Sequence, residues 1–202
     1  MNTAEPALRE KILDAATHLF IQHGYHGLAM RQIAEALQVS KPALYYHFKD
    51  KEELFLAILK KYLDELEISI DQISSEDLPC REKIARFIEL VLSQPAGERA
   101  IIRLASQEMS QLSASARKSF ERIYREKFIG KIEAILKSGM QRGELKSIRP
   151  EVATWTLLGM MYPYLYPAHA ETSHTEKSSL PEDTIQQIIS IYLDGISIRP
   201  AR

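Results

Sequence analysis

Between Met30 and Phe48 the chain carries a pattern that few folds can accommodate. Met30, Ile33, Ala34 and Leu37 fall at i, i+3, i+4 and i+7, one apolar stripe on about two turns of helix. Val39 follows where the chain must turn, placed to plug the gap between two helices. Ser40 is a good N-cap, and Pro42 lies in the first turn after it, where a missing N–H costs nothing. Leu44 and Phe48, spaced i, i+4, point back to the core. The spacing predicts a short helix, a tight turn and a second short helix. Lys41, Ala43, Tyr45, Tyr46 and His47 are left on that second helix's other faces.

Several neighbouring segments extend the pattern. Gly24-Tyr25 precedes it, Ile33-Ala34 lies within it, and Val39-Ser40-Lys41-Pro42-Ala43-Leu44-Tyr45-Tyr46-His47-Phe48 runs into Lys51-Glu52-Glu53-Leu54. Together these resemble the DNA-binding domain of the tetracycline-repressor-like (TetR) family of regulators, over roughly residues 8 to 60. Arg142-Gly143-Glu144-Leu145 is a weaker match further along. Two positions depart from the family pattern. Ala29 stands where a Ser or Thr usually caps the second helix and touches a phosphate, and Gln38 replaces the usual turn Gly.

Geometry and this resemblance together assign roles. In a helix-turn-helix the N-terminal residues of the second helix meet base edges, while the first crosses the backbone. Lys donates to guanine O6/N7 and apolar groups meet thymine methyls. Lys41, Pro42, Ala43 and Tyr45 are therefore placed for base edges, with Ser40 at the helix entrance. Arg31 could reach a base or a phosphate, and Tyr46, His47, Lys51 and Lys49 are phosphate candidates. The plain alternative is an αα-hairpin with solvated aromatics. Two adjacent tyrosines with His and Lys beside a Ser-capped helix are unusual for it.

Bulk charge does little here. The net charge is −1, and residues 1–51 hold six Lys/Arg against five Asp/Glu. That argues against a nonspecific packaging protein, so DNA affinity must come from a few placed cations. A single cysteine, Cys80, excludes an intramolecular disulfide and agrees with a reducing compartment. No basic-then-apolar leader and no membrane-length apolar run is visible, so a cytoplasmic protein without membrane contact is the expectation.

The rest of the chain reads as all-α, about nine helices in all. Leu8, Ile12, Ala16, Leu19 and Phe20 mark a first helix ended by Gly24. Asp50 caps a long fourth helix carrying Leu54, Ile58, Tyr62, Leu66 and Ile70. A fifth stops before Pro95 and a sixth covers Glu98 to Gln111. A long seventh runs from about Ala116 to Gly139, and an eighth from about Glu151 to Tyr166, weakened near its end by Pro163. Ala168 to Leu180 reads as a polar, mobile loop before a final Ile-rich helix that opens at Pro181. The expected division is a DNA-binding domain over 1–50 and a helical effector-binding and dimerisation domain over 51–202. A three-helix unit of roughly 45 residues is marginal alone, so it should lean on the fourth helix.

No catalytic seat is visible: there is no Gly-rich phosphate loop, no His-Glu-x-x-His and no nucleophile elbow. His18, His23, His26, His169 and His174 lack carboxylates at ligand spacing, so neither metal nor cofactor is expected. Members of the resembled family typically bind a small effector in the second domain. Candidate pocket residues are Phe87, Met109, Tyr124, Phe128, Trp155, Met160, Tyr162 and Tyr166, though such stripes are more often plain core. The last two helices resemble the family's four-helix dimer interface. The reading is a ligand-responsive regulator, a repressor binding a palindromic operator as a homodimer and released by an apolar or amphipathic effector. The competing reading is a helical small-molecule-binding module whose helix-turn-helix is only scaffold.

Overall fold

A computed structural model describes residues 4–165 and 179–196; it is all-α, with no extended strand among the described residues. The helices are α1 (Ala4–His23), α2 (Met30–Ala36), α3 (Lys41–His47), α4 (Lys51–Ser75), α5 (Cys80–Leu92), α6 (Ala96–Glu108), α7 (Ala114–Tyr124), α8 (Gly130–Gln141), α9 (Pro150–Met161) and α10 (Glu182–Ile196). The chain divides into two compact units. One comprises residues 1–63 and 101–123, the other 64–100 and 124–202.

The first unit is built around the N-terminal helices. Ile12, Ala16 and Phe20 of α1 pack in one core with Ile33, Leu44, Phe48, Leu54, Phe55 and Ile58. Phe20, Tyr25 and Phe55 form an aromatic trio with ring centroids 5.1 to 6.1 Å apart. The expected dependence on the fourth helix is present, and a second support appears beside it. Ile101, Leu104, Leu112 and Ala116 belong to the same core, so the segment from the end of α6 through α7 also underpins the three-helix unit. Gly24 ends α1 as expected: its φ is +69°, and its N–H closes on Phe20 O at 2.8 Å.

In the second unit α5 contributes Ile84, Phe87, Ile88, Val91 and Leu92 on one buried face. Against these and each other pack Ile132, Ile135 and Leu136 of α8, Leu157 of α9, and Ile185, Ile188 and Leu193 of α10. Gly139 is needed where α8 meets the start of α5, since a Cβ there would stand 2.5 Å from Cys80 Sγ. Tyr192 O–H donates to Ala153 O at 3.0 Å, and Lys146 Nζ to Gly195 O at 2.7 Å, tying α10 to α9 and to the turn after α8.

One expected helix is interrupted. The stretch read as a continuous seventh helix is α7, a π-helical turn over Arg125–Ile129, then α8. Phe120, Tyr124, Phe128, Ile132 and Leu136 recur at strict intervals of four, and in an α-helix each such interval over-rotates by about 40°. One wide turn takes up that drift and keeps the stripe on one side. Pro163 acts as expected: α9 ends at Met161 and gives way to a 3₁₀ turn over Tyr162–Leu165. Most of the expected polar loop, and Tyr166, lie outside the described residues; Leu180 at its end is buried.

Candidate nucleic-acid interface

The recognition element rests on local rules. Ser40 Oγ accepts the N–H of Ala43 at 3.2 Å, with Pro42 in the first turn of α3. Leu44 and Phe48 are 0% and 1% exposed, whereas Tyr45 and Tyr46 on the same helix are 50% and 73% exposed. Lys41 and Pro42 are exposed and Ala43 half-buried. Helix α3 thus presents the residues expected to meet base edges and buries those expected not to. His47 is half-buried between Tyr46 and Phe48, with ring centroids 5.3 and 6.5 Å away, and Lys49 is exposed.

The two positions that depart from the family pattern behave as their chemistry dictates. Ala29 is the N-cap of α2, and its methyl accepts no hydrogen bond. Gln32 supplies half of a cap, accepting the Ala29 N–H on Oε1 at 2.8 Å. Gln38 has φ +54°, the left-handed turn conformation in which a side chain costs roughly 1–2 kcal/mol. Its N–H reaches Glu35 O and the Val39 N–H reaches Ala34 O, so the turn is closed despite that strain.

Two of the candidate cations are already engaged. Arg31 is exposed on α2, and its Nε donates to Glu35 Oε1 at 2.7 Å. The hydrogen bond and charge of Glu35 hold the guanidinium above its usual pKa, while Arg31 holds the carboxyl below its own. Lys51 turns inward. Its Nζ donates to Tyr25 O at 2.6 Å and Leu28 O at 2.9 Å and lies 4.3 Å from the centre of the Tyr25 ring. Burial draws its pKa down, with Glu108 opposing. It serves as a brace for the loop before α2. Asp50 caps α4 as expected, accepting the Glu53 N–H at 2.8 Å, and Glu53 reaches back to the Lys49 N–H at 3.0 Å.

Sequence reasoning missed what lies beneath the interface. Glu108 accepts the Tyr25 N–H, Gln111 Oε1 lies 2.8 Å from His26 Nε2, and Ser113 donates to Glu52 from both N–H and O–H. These contacts join residues more than sixty positions apart, and no local pattern announces them. The Arg31–Glu35 pair, by contrast, was readable from its i, i+4 spacing.

The eight candidate pocket residues do not converge. Phe87, Phe128 and Tyr124 form one stack in the second unit, with centroid separations of 5.9 and 5.3 Å, and burial pushes the Tyr124 hydroxyl up to about 12. Met109 packs against the core of the first unit. Trp155 and Tyr162 are exposed and Met160 is half-buried. With Val152 and, on α10, Ile191, the exposed pair make an outward apolar surface on the last two helices. A separate cleft of about 480 Å³, between the end of α5 and the start of α10, includes Glu89, Ser93, Leu180, Ile185 and Gln186 and none of the eight.

Residues 12–58 match the family described as bacterial regulatory proteins, tetR family, and residues 77–163 match the tetracyclin repressor-like C-terminal domain. The chain belongs to the tetR family. Among relatives it is 26% identical over 185 residues to the uncharacterized HTH-type transcriptional regulator YhgD of Bacillus subtilis (strain 168), covering 92% of this chain and 94% of that one. It is 26% identical over 136 residues to the fatty acid metabolism regulator protein of the same organism, covering 67% and 70%. The solved structure of AibR in complex with isovaleryl coenzyme A and operator DNA shares the fold at a TM-score of 0.70 and 22% identity, covering 91% of this chain and 96% of that one. The tetR family is a regulatory one. No helix among the described residues is long and apolar enough to cross a membrane.

Proposed function

We propose that this tetR-family chain is a cytoplasmic, homodimeric transcription repressor that reads a palindromic operator and is released by a small amphipathic effector. The observation that carries the reading is the sidedness of α3, which buries Leu44 and Phe48 and presents Lys41, Pro42, Tyr45 and Tyr46. Lys41, Pro42, Ala43 and Tyr45 read bases; Tyr46, His47 and Lys49 hold phosphates; Arg31 joins them on leaving Glu35. Residues 1–50 carry the reading function and 51–202 effector binding and dimerisation. The outward apolar surface of Val152, Trp155, Tyr162 and Ile191 supports pairing through the last two helices. The chemistry is recognition only, with no catalytic step.

The repressor KstR2 of Rhodococcus jostii, 26% identical over 194 residues, supports the sign of regulation, and the AibR complex supports operator release by a ligand. Helix α4 contributes residues to both units and is the covalent route between effector and DNA. A coupling of about 1–3 kcal/mol, roughly 5–150-fold in operator affinity, is the expected scale. Selecting bound DNA from a random pool with the purified protein tests the reading. The expected product is a palindrome whose half-sites lie about 34–36 Å apart, one helical turn, or a multiple of that distance. Recovery of no preferred sequence would leave the helix-turn-helix as scaffold for a small-molecule-binding module.

A further inference from the structure

Arg99 of α6 is among the most deeply buried side chains of the second unit, with 1% of its surface exposed. Arginine is almost never buried so deeply without an anion beside it, because removing its charge from water is costly. Here the surroundings return little. Among the described residues its one hydrogen bond runs from Nη1 to Leu92 O at 3.3 Å, and the buried Nε has no partner. Burial lowers its pKa below the usual guanidinium value, and no carboxylate offsets that effect. Lys127 and Lys131, also in this unit, each have two carboxylates within reach.

Capping the C-terminal end of α5 explains the Leu92 contact, but a cap needs one or two of a guanidinium's five donors. A planar fork with unspent donors in an apolar setting matches the two oxygens of a carboxylate or phosphate. Ile84, Phe87, Ile88, Val91 and Leu92 form the buried face of α5 that ends at this guanidinium, and the Phe128 ring lies over Phe87.

We infer that Arg99 is the anion anchor of the effector site. The effector carries a carboxylate or phosphate head held by the guanidinium, and an apolar body directed along the buried face of α5 toward Phe87 and Phe128. This deepens the regulator reading and rests on it.

The test uses the full-length protein, wild type, Arg99→Met and Arg99→Lys. Probes are hexanoate, dodecanoate, hexadecanoate, dodecyl phosphate and dodecanoyl coenzyme A, with dodecanol and dodecyltrimethylammonium as head-group controls. Thermal stability and direct binding are measured without DNA, then operator release with the selected sequence. At least one anionic probe is expected to raise the melting temperature and release the operator, while the controls do neither. A response to free carboxylates alone identifies a fatty acid-like head, and one to the phosphate-bearing probes a phosphorylated one. Arg99→Met should bind the active probe roughly tenfold or more weakly. Its ligand-free stability should equal or exceed wild type, because an apolar side chain replaces an uncompensated charge. Arg99→Lys should fall between.

Loss of ligand-free stability in Arg99→Met would make the residue a structural cap and overturn the inference. So would equal action of anions and controls, an undiminished anion response in that variant, or no response to any anionic probe. Failure to select an operator would instead overturn the regulator reading, and the DNA-free measurements would still judge Arg99.

Discussion

Glu108 Oε1 accepts the backbone N–H of Tyr25 at 3.3 Å and stands 3.3 Å from where a side chain on Gly24 would begin. One carboxylate thus holds the loop before α2 from below, and its charge also favours the protonated Lys51 that braces the same loop. Glu108→Ala should destabilise the first unit by about 1 kcal/mol, the ordinary worth of such a hydrogen bond. Gly24→Ala should cost about 1–2 kcal/mol for its φ of +69°. Urea denaturation of both variants checks the pair, and wild-type midpoints in both would show that the loop is held elsewhere.

Glu35 competes with DNA for Arg31. Glu35→Gln removes the carboxylate 2.7 Å from Arg31 Nε and leaves a cation free to meet a phosphate. Operator affinity should rise several-fold, and the salt dependence should steepen by about one released counterion. Fluorescence anisotropy across a salt series measures both. Weaker binding would mean that the pair orients Arg31 for its contact.

Lys41 and Tyr46 separate reading from holding. Lys41→Ala should weaken binding and relax the preference at one base position by about 1–3 kcal/mol. Tyr46→Phe should weaken binding evenly across sequences, because a phosphate contact carries no sequence information. Selection experiments on the two variants distinguish these outcomes, and unchanged affinity and preference in both would remove α3 from the interface.

The departures at 29 and 38 are correctable. Ala29→Ser restores a side-chain cap to α2 and should stabilise by about 1 kcal/mol. Gln38→Gly relieves a left-handed residue, and its gain is cut by the added freedom of glycine when unfolded, so about 0.5–1 kcal/mol is expected. Differential scanning calorimetry reads both. A loss of stability in Gln38→Gly would show that the side chain makes a contact worth more than the strain.

Acid should act through the charge ladder of the second unit. Lys127 donates to Glu67, and Lys131 lies 3.4 Å from the same carboxylate; the Lys127 hydrogen bond is the largest cause holding the Glu67 carboxyl below its usual value. A carboxyl depressed on folding contributes fully above its unfolded value of about 4.3, and the contribution disappears as pH falls through the lower folded value. Denaturant midpoints measured from neutral pH to below pH 4 should therefore fall more steeply in wild type than in Lys127→Met. Parallel curves would assign the acid sensitivity to other carboxylates.

The legible parts of this molecule are those governed by near neighbours in sequence. Ser40, Pro42, Leu44 and Phe48 announce α3 and its sidedness because capping and i, i+4 burial are local. Gly24 and Asp50 mark helix ends for the same reason. Lys51 escaped because its partners are carbonyls twenty-three and twenty-six positions away, which no spacing reveals. The support from residues 101–123 escaped likewise. The pocket candidates were chosen by residue type, and type does not separate the buried Phe87 from the exposed Trp155.

The Arg31–Glu35 pair has a consequence for how the protein searches a genome. A free arginine would gain from every phosphate it passed, and the protein would linger on random DNA. An arginine already satisfied within its own helix gains little from an unmatched site, since each new contact first breaks an old one. Only where α3 also fits the bases does the exchange become worthwhile. The carboxylate of Glu35 should thus shorten nonspecific dwell times, trading grip for speed of search.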